Sequence, residues 1–237
     1  MKYKYFAYFS VILAVFLFSA VSALAKTVTK EYDYKDFTSV DVGAGMRLTV
    51  TQSDSYSIKV KADDDDIKDL EVKKSGSELS FSFKKSGWFN WSRHGRVEIT
   101  ITMPSLRALD LSGGAMGNIK MVISGKSFTA DISGGAGLDG ELTCGNASFD
   151  VSGGGRVRLT GSGADLNIEG SGGAMFRLKD FSVKNVNADL SGGTHATITM
   201  NGTLNTDQSG GSRIVYYGSV TLGNTDFSGG SGINKGD

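Results

Sequence analysis

A single cysteine, Cys144, stands in the whole chain, so no disulfide can close within it. A lone thiol in a regular strand-and-turn pattern reads as a packing residue rather than a nucleophile. There is one proline, Pro104, and only two histidines, His94 and His195. Neither histidine has the spacing of a Ser/His/Asp triad or a metal-ligand set, and both read as exposed side chains. A basic excess is also missing. The chain carries 25 Lys and Arg against 25 Asp and Glu. Nucleic-acid binding needs clustered positive charge to displace counterions, so no nucleic-acid partner is expected. Beyond residue 25 no amphipathic helical period emerges.

What is present begins with a targeting segment, residues 1–25. Lys2 and Lys4 form a basic start, Val11 to Phe18 the centre of an apolar run, and Ala23-Leu24-Ala25 a small-x-small cleavage site. Cleavage would make Lys26 the mature start and leave no stable transmembrane anchor. It would remove two lysines, giving 23 basic against 25 acidic residues. No cysteine lies near this site, so no lipoprotein anchor is expected. Export is expected, to the periplasm, the outer cell surface or the medium.

The remaining chain divides near Pro104. Five glycines precede it and 28 follow. Before it, period-2 alternation dominates, as in Met46-Arg47-Leu48-Thr49-Val50 and Val97-Glu98-Ile99-Thr100-Ile101, the mark of strands with one buried face. Asp63-Asp64-Asp65-Asp66 lacks the spaced Asp/Gly pattern of a calcium loop and reads as a solvated turn. After Pro104, Ser-Gly-Gly recurs at Ser112, Ser133, Ser152, Ser171, Ser191, Ser209 and Ser228, at intervals of 21, 19, 19, 20, 18 and 19 residues. Two residues before each serine stands an acid: Asp110, Asp131, Asp150, Glu169, Asp189, Asp207 and Asp226.

One such unit cannot bury its own apolar residues, but stacked units can, pairing equivalent strands in parallel at about 4.8 Å per coil. The expectation is an all-β protein: a right-handed parallel β-helix of about 19-residue coils over 106–237, its hand following the usual crossover preference. A β-rich segment, 26–105, packs on it or is continuous with it.

The motifs Phe37-Thr38-Ser39-Val40, Val50 to Asp54, Glu98 to Leu106, the Asp-x-Ser-Gly-Gly copies and Gly232-Ile233-Asn234 resemble, in that order, the putative auto-transporter adhesin, head GIN domain family. The resemblance runs over roughly residues 30 to 236. It implies an exported, β-helical, adhesin-like protein, often of the Bacteroidetes type, and supplies no catalytic residues. No translocator barrel, which needs many alternating strands of about 10 residues, is legible in this sequence, so self-transport is not expected.

Two groups of residues are candidate sites. If the coils stack in register, the seven acids form a column. It could hold cations, or each acid could accept hydrogen bonds from the Ser and Gly amides of its own corner in an Asx-type turn. The same column raises a polysaccharide-cleaving enzyme, which uses paired carboxylates. A catalytic pair should break the repeat, whereas these acids belong to it. Asp139 and Glu141 are off-pattern but show no matched partner. The second group is the aromatic-basic stretch from Lys84 to Arg96. It holds Trp88, Phe89 and Trp91 among Lys84, Lys85, Arg93 and Arg96. Tryptophan faces stack on sugar rings and cations add affinity for anionic groups; alternatively the aromatics cap an open end of the solenoid. The functional expectation is a non-enzymatic envelope module binding a glycan, polymer or partner surface, with a β-helix enzyme and a purely structural protein as competitors. No cofactor is called for, and the oligomeric state is not legible.

Overall fold

The computed structural model describes residues 27–84, 94–123 and 125–237. The described chain is all-β apart from one six-residue helix. From Ala108 onward each coil contributes two strands, one to each of two facing sheets. Sheet B receives β8 (Ala108–Leu111), β10 (Phe128–Ile132), β12 (Ala147–Val151), β14 (Asp165–Gly170), β16 (Asn185–Leu190), β18 (Gly202–Gln208) and β20 (Val220–Phe227). Sheet A receives β9 (Met116–Ile123), β11 (Gly137–Cys144), β13 (Arg156–Ser162), β15 (Met175–Val183), β17 (His195–Met200), β19 (Arg213–Tyr217) and β21 (Gly232–Lys235). All neighbouring pairs among these are parallel, a solenoid of about six turns.

The alternation in sequence sets the faces. In β12, Ala147, Phe149 and Val151 are buried and Asp150 is exposed. Phe128 and Phe149, one coil apart, meet edge-on with ring centroids 6.2 Å apart. Fully burying such a side chain contributes about 1.5–3 kcal/mol, repeated coil after coil. Large and small residues compensate across the core. A Cβ at Gly170 would stand 2.9 Å from the Phe176 ring, so glycine leaves the space that ring fills. Cys144 is buried, and desolvation pushes its thiol up to about 11, as suits a packing residue.

The corner glycines stack in one column. Gly154, Gly173, Gly193, Gly211 and Gly230 each donate N–H to the carbonyl of the glycine one coil earlier, at 2.6–2.8 Å. Gly192 shows why this corner excludes other residues. Its φ is +67°, and a Cβ there would lie 2.8 Å from the Gly172 carbonyl oxygen.

Order in space departs from order in sequence at the N-terminal end. β2 (Ser39–Val42) and β3 (Arg47–Gln52) form a coil directly beside β8 and β9. β6 (Glu78–Phe83) and β7 (Glu98–Met103) form the next coil outward, parallel to β2 and β3. The chain thus builds one coil, passes outward to build a second, then returns past the first to start the solenoid. The excursion supplies the closure. β4 (Ser57–Asp63) runs antiparallel to β7, and β1 (Thr27–Tyr32) antiparallel to β4. β5 (Leu70–Ser75) runs antiparallel to β6, and α1 (Asp64–Asp69) joins β4 to β5.

Candidate functional site

The outer face of sheet B carries the acid column. Asp110, Asp131, Asp150, Glu169, Asp189, Asp207 and Asp226 are in mutual register, one per coil. An eighth member, Asp41, pairs with Asp110. It was hidden in the sequence because its corner reads Gly43-Ala44-Gly45, with Ala44 at φ +54° where the later coils have glycine. Asp-x-Gly-Ala-Gly was the signal that could have found it.

A second column runs beside the acids. Asn187 donates its side-chain N–H to Asn167 Oδ1 at 3.0 Å, and Asn205 donates to Asn187 Oδ1 at 2.9 Å. The chain of amides ends where the backbone N–H of Asn224 donates to Asn205 Oδ1 at 3.0 Å. The acids and amides of the last four coils line a groove of 620 Å³. A shallower hollow of 290 Å³ continues the same face among Glu78, Asp110, Asp131 and Asp150. The asparagines were legible as Asn-x-Asp or Asn-x-Glu in four successive repeats.

The acids do not cap their own corners. The corner serine amides are already used by the coil before: Ser133 N–H donates to the Leu111 carbonyl and Ser152 N–H to Ile132, both at 2.9 Å. The Asx-turn expectation is corrected for that reason. The carboxylates face outward, held about 4.8 Å apart by strand spacing. Asp110 is pushed up to about 6, first by desolvation, then by Asp41, Asp131 and Glu78. Asp41 is raised by burial and Glu78, and Asp150 by burial and Asp131. Among the described residues, no three His, Cys, Asp or Glu side chains converge on a point that could hold a metal ion.

The outer face of sheet A has a different chemistry. Arg158 lies 3.5 Å from Asp139, and Lys120 lies 3.5 Å from Glu141, so the two off-pattern acids are set against bases of adjacent coils. Toward the N-terminal end Arg96 pairs with Glu98 at 2.6 Å and lines a hollow of 370 Å³ with Arg47, Asn118 and Asp139.

Of the aromatic-basic stretch, Lys85, Trp88, Phe89, Trp91 and Arg93 lie outside the described residues. Its two ends are placed. Lys84 donates its backbone N–H to the Asp69 carbonyl at 2.8 Å and its ammonium to the Lys68 carbonyl at 2.5 Å, both on α1. At the other end, buried Asp66 accepts the Gly95 N–H at 2.9 Å and lies 3.0 Å from His94 Nδ1. The His94 ring stacks on Phe83 at 3.6 Å. His94 is therefore half-buried rather than exposed, and the acidic run is not simply solvated, because its last member clamps the base of the stretch. His195 is exposed, with Nδ1 2.8 Å from the Gly193 carbonyl.

Among the described residues no helix is long and apolar enough to cross a membrane. A search of curated proteins finds no match. Several solved structures share the fold. A putative adhesin from Bacteroides fragilis superposes with TM-score 0.80 at 22% identity, covering 89% of this chain and 97% of its own. A putative adhesin from Parabacteroides merdae gives 0.70 at 16%, covering 90% and 98%. A putative lipid binding protein from Parabacteroides distasonis gives 0.69 at 14%, with the same coverage. At these identities the likeness is one of fold. The family pattern itself matches residues 36–219, and on that match the chain belongs to the family described as putative auto-transporter adhesin, head GIN domain.

Proposed function

We propose that this protein is an exported, non-enzymatic module of the cell envelope that binds an extended glycan, polymer or partner surface. The observation that carries the reading is the repetition of the outer faces. Eight successive coils, from β2 to β20, present an acid in the same register, and the last four of them present an asparagine beside it. Catalysis by carboxylates needs two groups made different by their surroundings. A ladder of like groups instead suits a ligand that is itself long and repetitive. Membership of an adhesin-like family supports the same class.

The aromatic-basic stretch from Lys84 to Arg96 is the proposed primary contact. Its described ends follow β6 and precede β7 in the coil nearest the N-terminal end, and the chemistry of Trp88 and Trp91 suits stacking on sugar rings. A glycan and cell-surface binding screen on residues 26–237 tests this. Trp88→Ala with Trp91→Ala should abolish binding without lowering thermal stability. Normal binding by that variant would remove the stretch from the site, and early melting would make it a cap. Release of reducing or unsaturated sugar ends from a polysaccharide panel, lost when one or two carboxylates are changed, would replace the binding reading with an enzymatic one.

A further inference from the structure

The C-terminal end of the solenoid is built unlike the N-terminal end. Sheet B finishes at β20 and sheet A at β21, and among the described residues neither outer edge has a partner strand. The inner side chains of this last coil are left open. Leu222 is 48% and Phe227 40% exposed, Val220 and Ile233 are only half-buried, and so is Tyr216 on β19 behind them. Unpaired strand edges are normally blunted by charge, proline or a covering element. Here Val220 to Thr225 carries no charge and no proline, and β20 is among the longer strands at eight residues. Its one irregularity is a register shift against β18 near Gly223.

We propose that this end is a homodimer interface, with two copies meeting end to end through β20 and β21. The surface dictates the occupant. It presents two strand edges about 10 Å apart, running in opposite directions, with apolar side chains between them. A partner must supply two extended strands at that spacing and an apolar filling. A second copy turned about a two-fold axis perpendicular to the solenoid supplies both. β20 pairs antiparallel with its equivalent, β21 with its own, and the two cores become one. Charge does not oppose this, since Asp226 and Lys235 are the only ionisable side chains on the two strands. The contact is isologous and closes at two copies. The interface lies at the opposite end from the Lys84–Arg96 stretch and does not depend on it, although β20 also supplies Asn224 and Asp226 at the end of the acid and amide groove.

Light scattering after size exclusion, run on the exported form over a wide concentration range, should give twice the chain mass. Leu222→Lys with Phe227→Lys should give the single-chain mass while retaining the β-sheet circular dichroism. A wild-type protein that stays monomeric overturns the proposal. So does a dimer that survives both lysines, or growth beyond two copies. If the double variant fails to fold, small-angle scattering of the wild type decides. An end-to-end dimer nearly doubles the longest dimension of the monomer, whereas a side-by-side dimer leaves it nearly unchanged and sinks the idea.

Discussion

At the N-terminal end the outermost strands, β1 and β5, run antiparallel to their neighbours and carry Lys30, Glu31, Lys73 and Lys74, while α1 bridges the two sheets. At the C-terminal end β20 and β21 continue the parallel pairing and the repeat to the last coil. The two ends face one physical problem, an apolar core cut across its axis. The first is closed by a departure from the repeat: β1 ahead of the first coil, and β4, α1 and β5 inserted between β3 and β6. The second keeps the repeat, so residues that would be interior in any other coil are left at the surface. A solenoid's stability is close to a sum of nearest-neighbour terms, so the position of a residue along the axis should decide what its loss costs.

The sharpest contrast lies between two phenylalanines. Phe149, sandwiched between coils, should cost about 3–5 kcal/mol when changed to alanine, while Phe227→Ala, measured on dilute protein, should cost under about 1 kcal/mol. Urea unfolding of the two variants reads the difference. Equal costs would mean that the C-terminal coil is covered in solution.

Next in size is the clamp that belongs only to the capped end. Asp66→Ala leaves the Gly95 amide and His94 without their acceptor in a half-buried site, and about 2–3 kcal/mol of stability should go with it. Asp65→Ala, one residue earlier and exposed, should change little. Thermal melts that fail to separate the two would contradict the clamp.

The glycine column offers a similar comparison at roughly the same scale. Gly192→Ala, at positive φ and against the Gly172 backbone, should cost about 2 kcal/mol, whereas Ala44, at the equivalent corner beside the cap, already carries a Cβ. Ala44→Gly should lie within about 1 kcal/mol of wild type by the same melts.

The smallest expected effect concerns the acid ladder. Asp41, Asp110 and Asp150 have raised proton affinities in the folded protein. Between the ordinary carboxylate range and about 6, the Asp110 value, the native state therefore binds more protons than the unfolded chain. Stability should rise as pH falls from 7 toward 5, the reverse of the behaviour of a salt-bridged carboxylate. Asp110→Asn should flatten that rise and gain about 1 kcal/mol or less at pH 7, solvent screening keeping the figure small. A stability profile that falls from pH 7 to 5 and is unchanged in the variant would show that the ladder is not repulsive.

The sequence was most readable where coils repeat. Seven acid-x-Ser-Gly-Gly copies, six with Asp and one with Glu169, announce a parallel solenoid because stacking asks the same of the corner of every coil, and the corner glycines do stack. Legibility failed where pairing is long-range. Nothing local tells that β6 lies outside β2 or that β8 returns beside it, because parallel strands with equivalent alternation are interchangeable until the whole edge is built. The Asp63–Asp66 run looked like a solvated turn because the partners that bury Asp66, His94 and Gly95, stand 28 and 29 residues away. The acid column is legible in the repeat, but its local hydrogen bonding is not, since the corner serine amides are taken by the preceding coil. The asparagine ladder is spelled out by Asn-x-acid spacing in four repeats, but the Ser-Gly-Gly period alone does not single it out, because the asparagines begin only at Asn167.

The difference between the two ends is tested most directly by residue-resolved amide hydrogen exchange at two protein concentrations. The account predicts that the amides of β4, β6 and β7 are protected equally at both. Protection in β20 and β21 should be weak in dilute solution and rise with concentration as their edges pair. Strong protection of β20 and β21 that does not depend on concentration, or exchange that begins at the N-terminal strands, would contradict it.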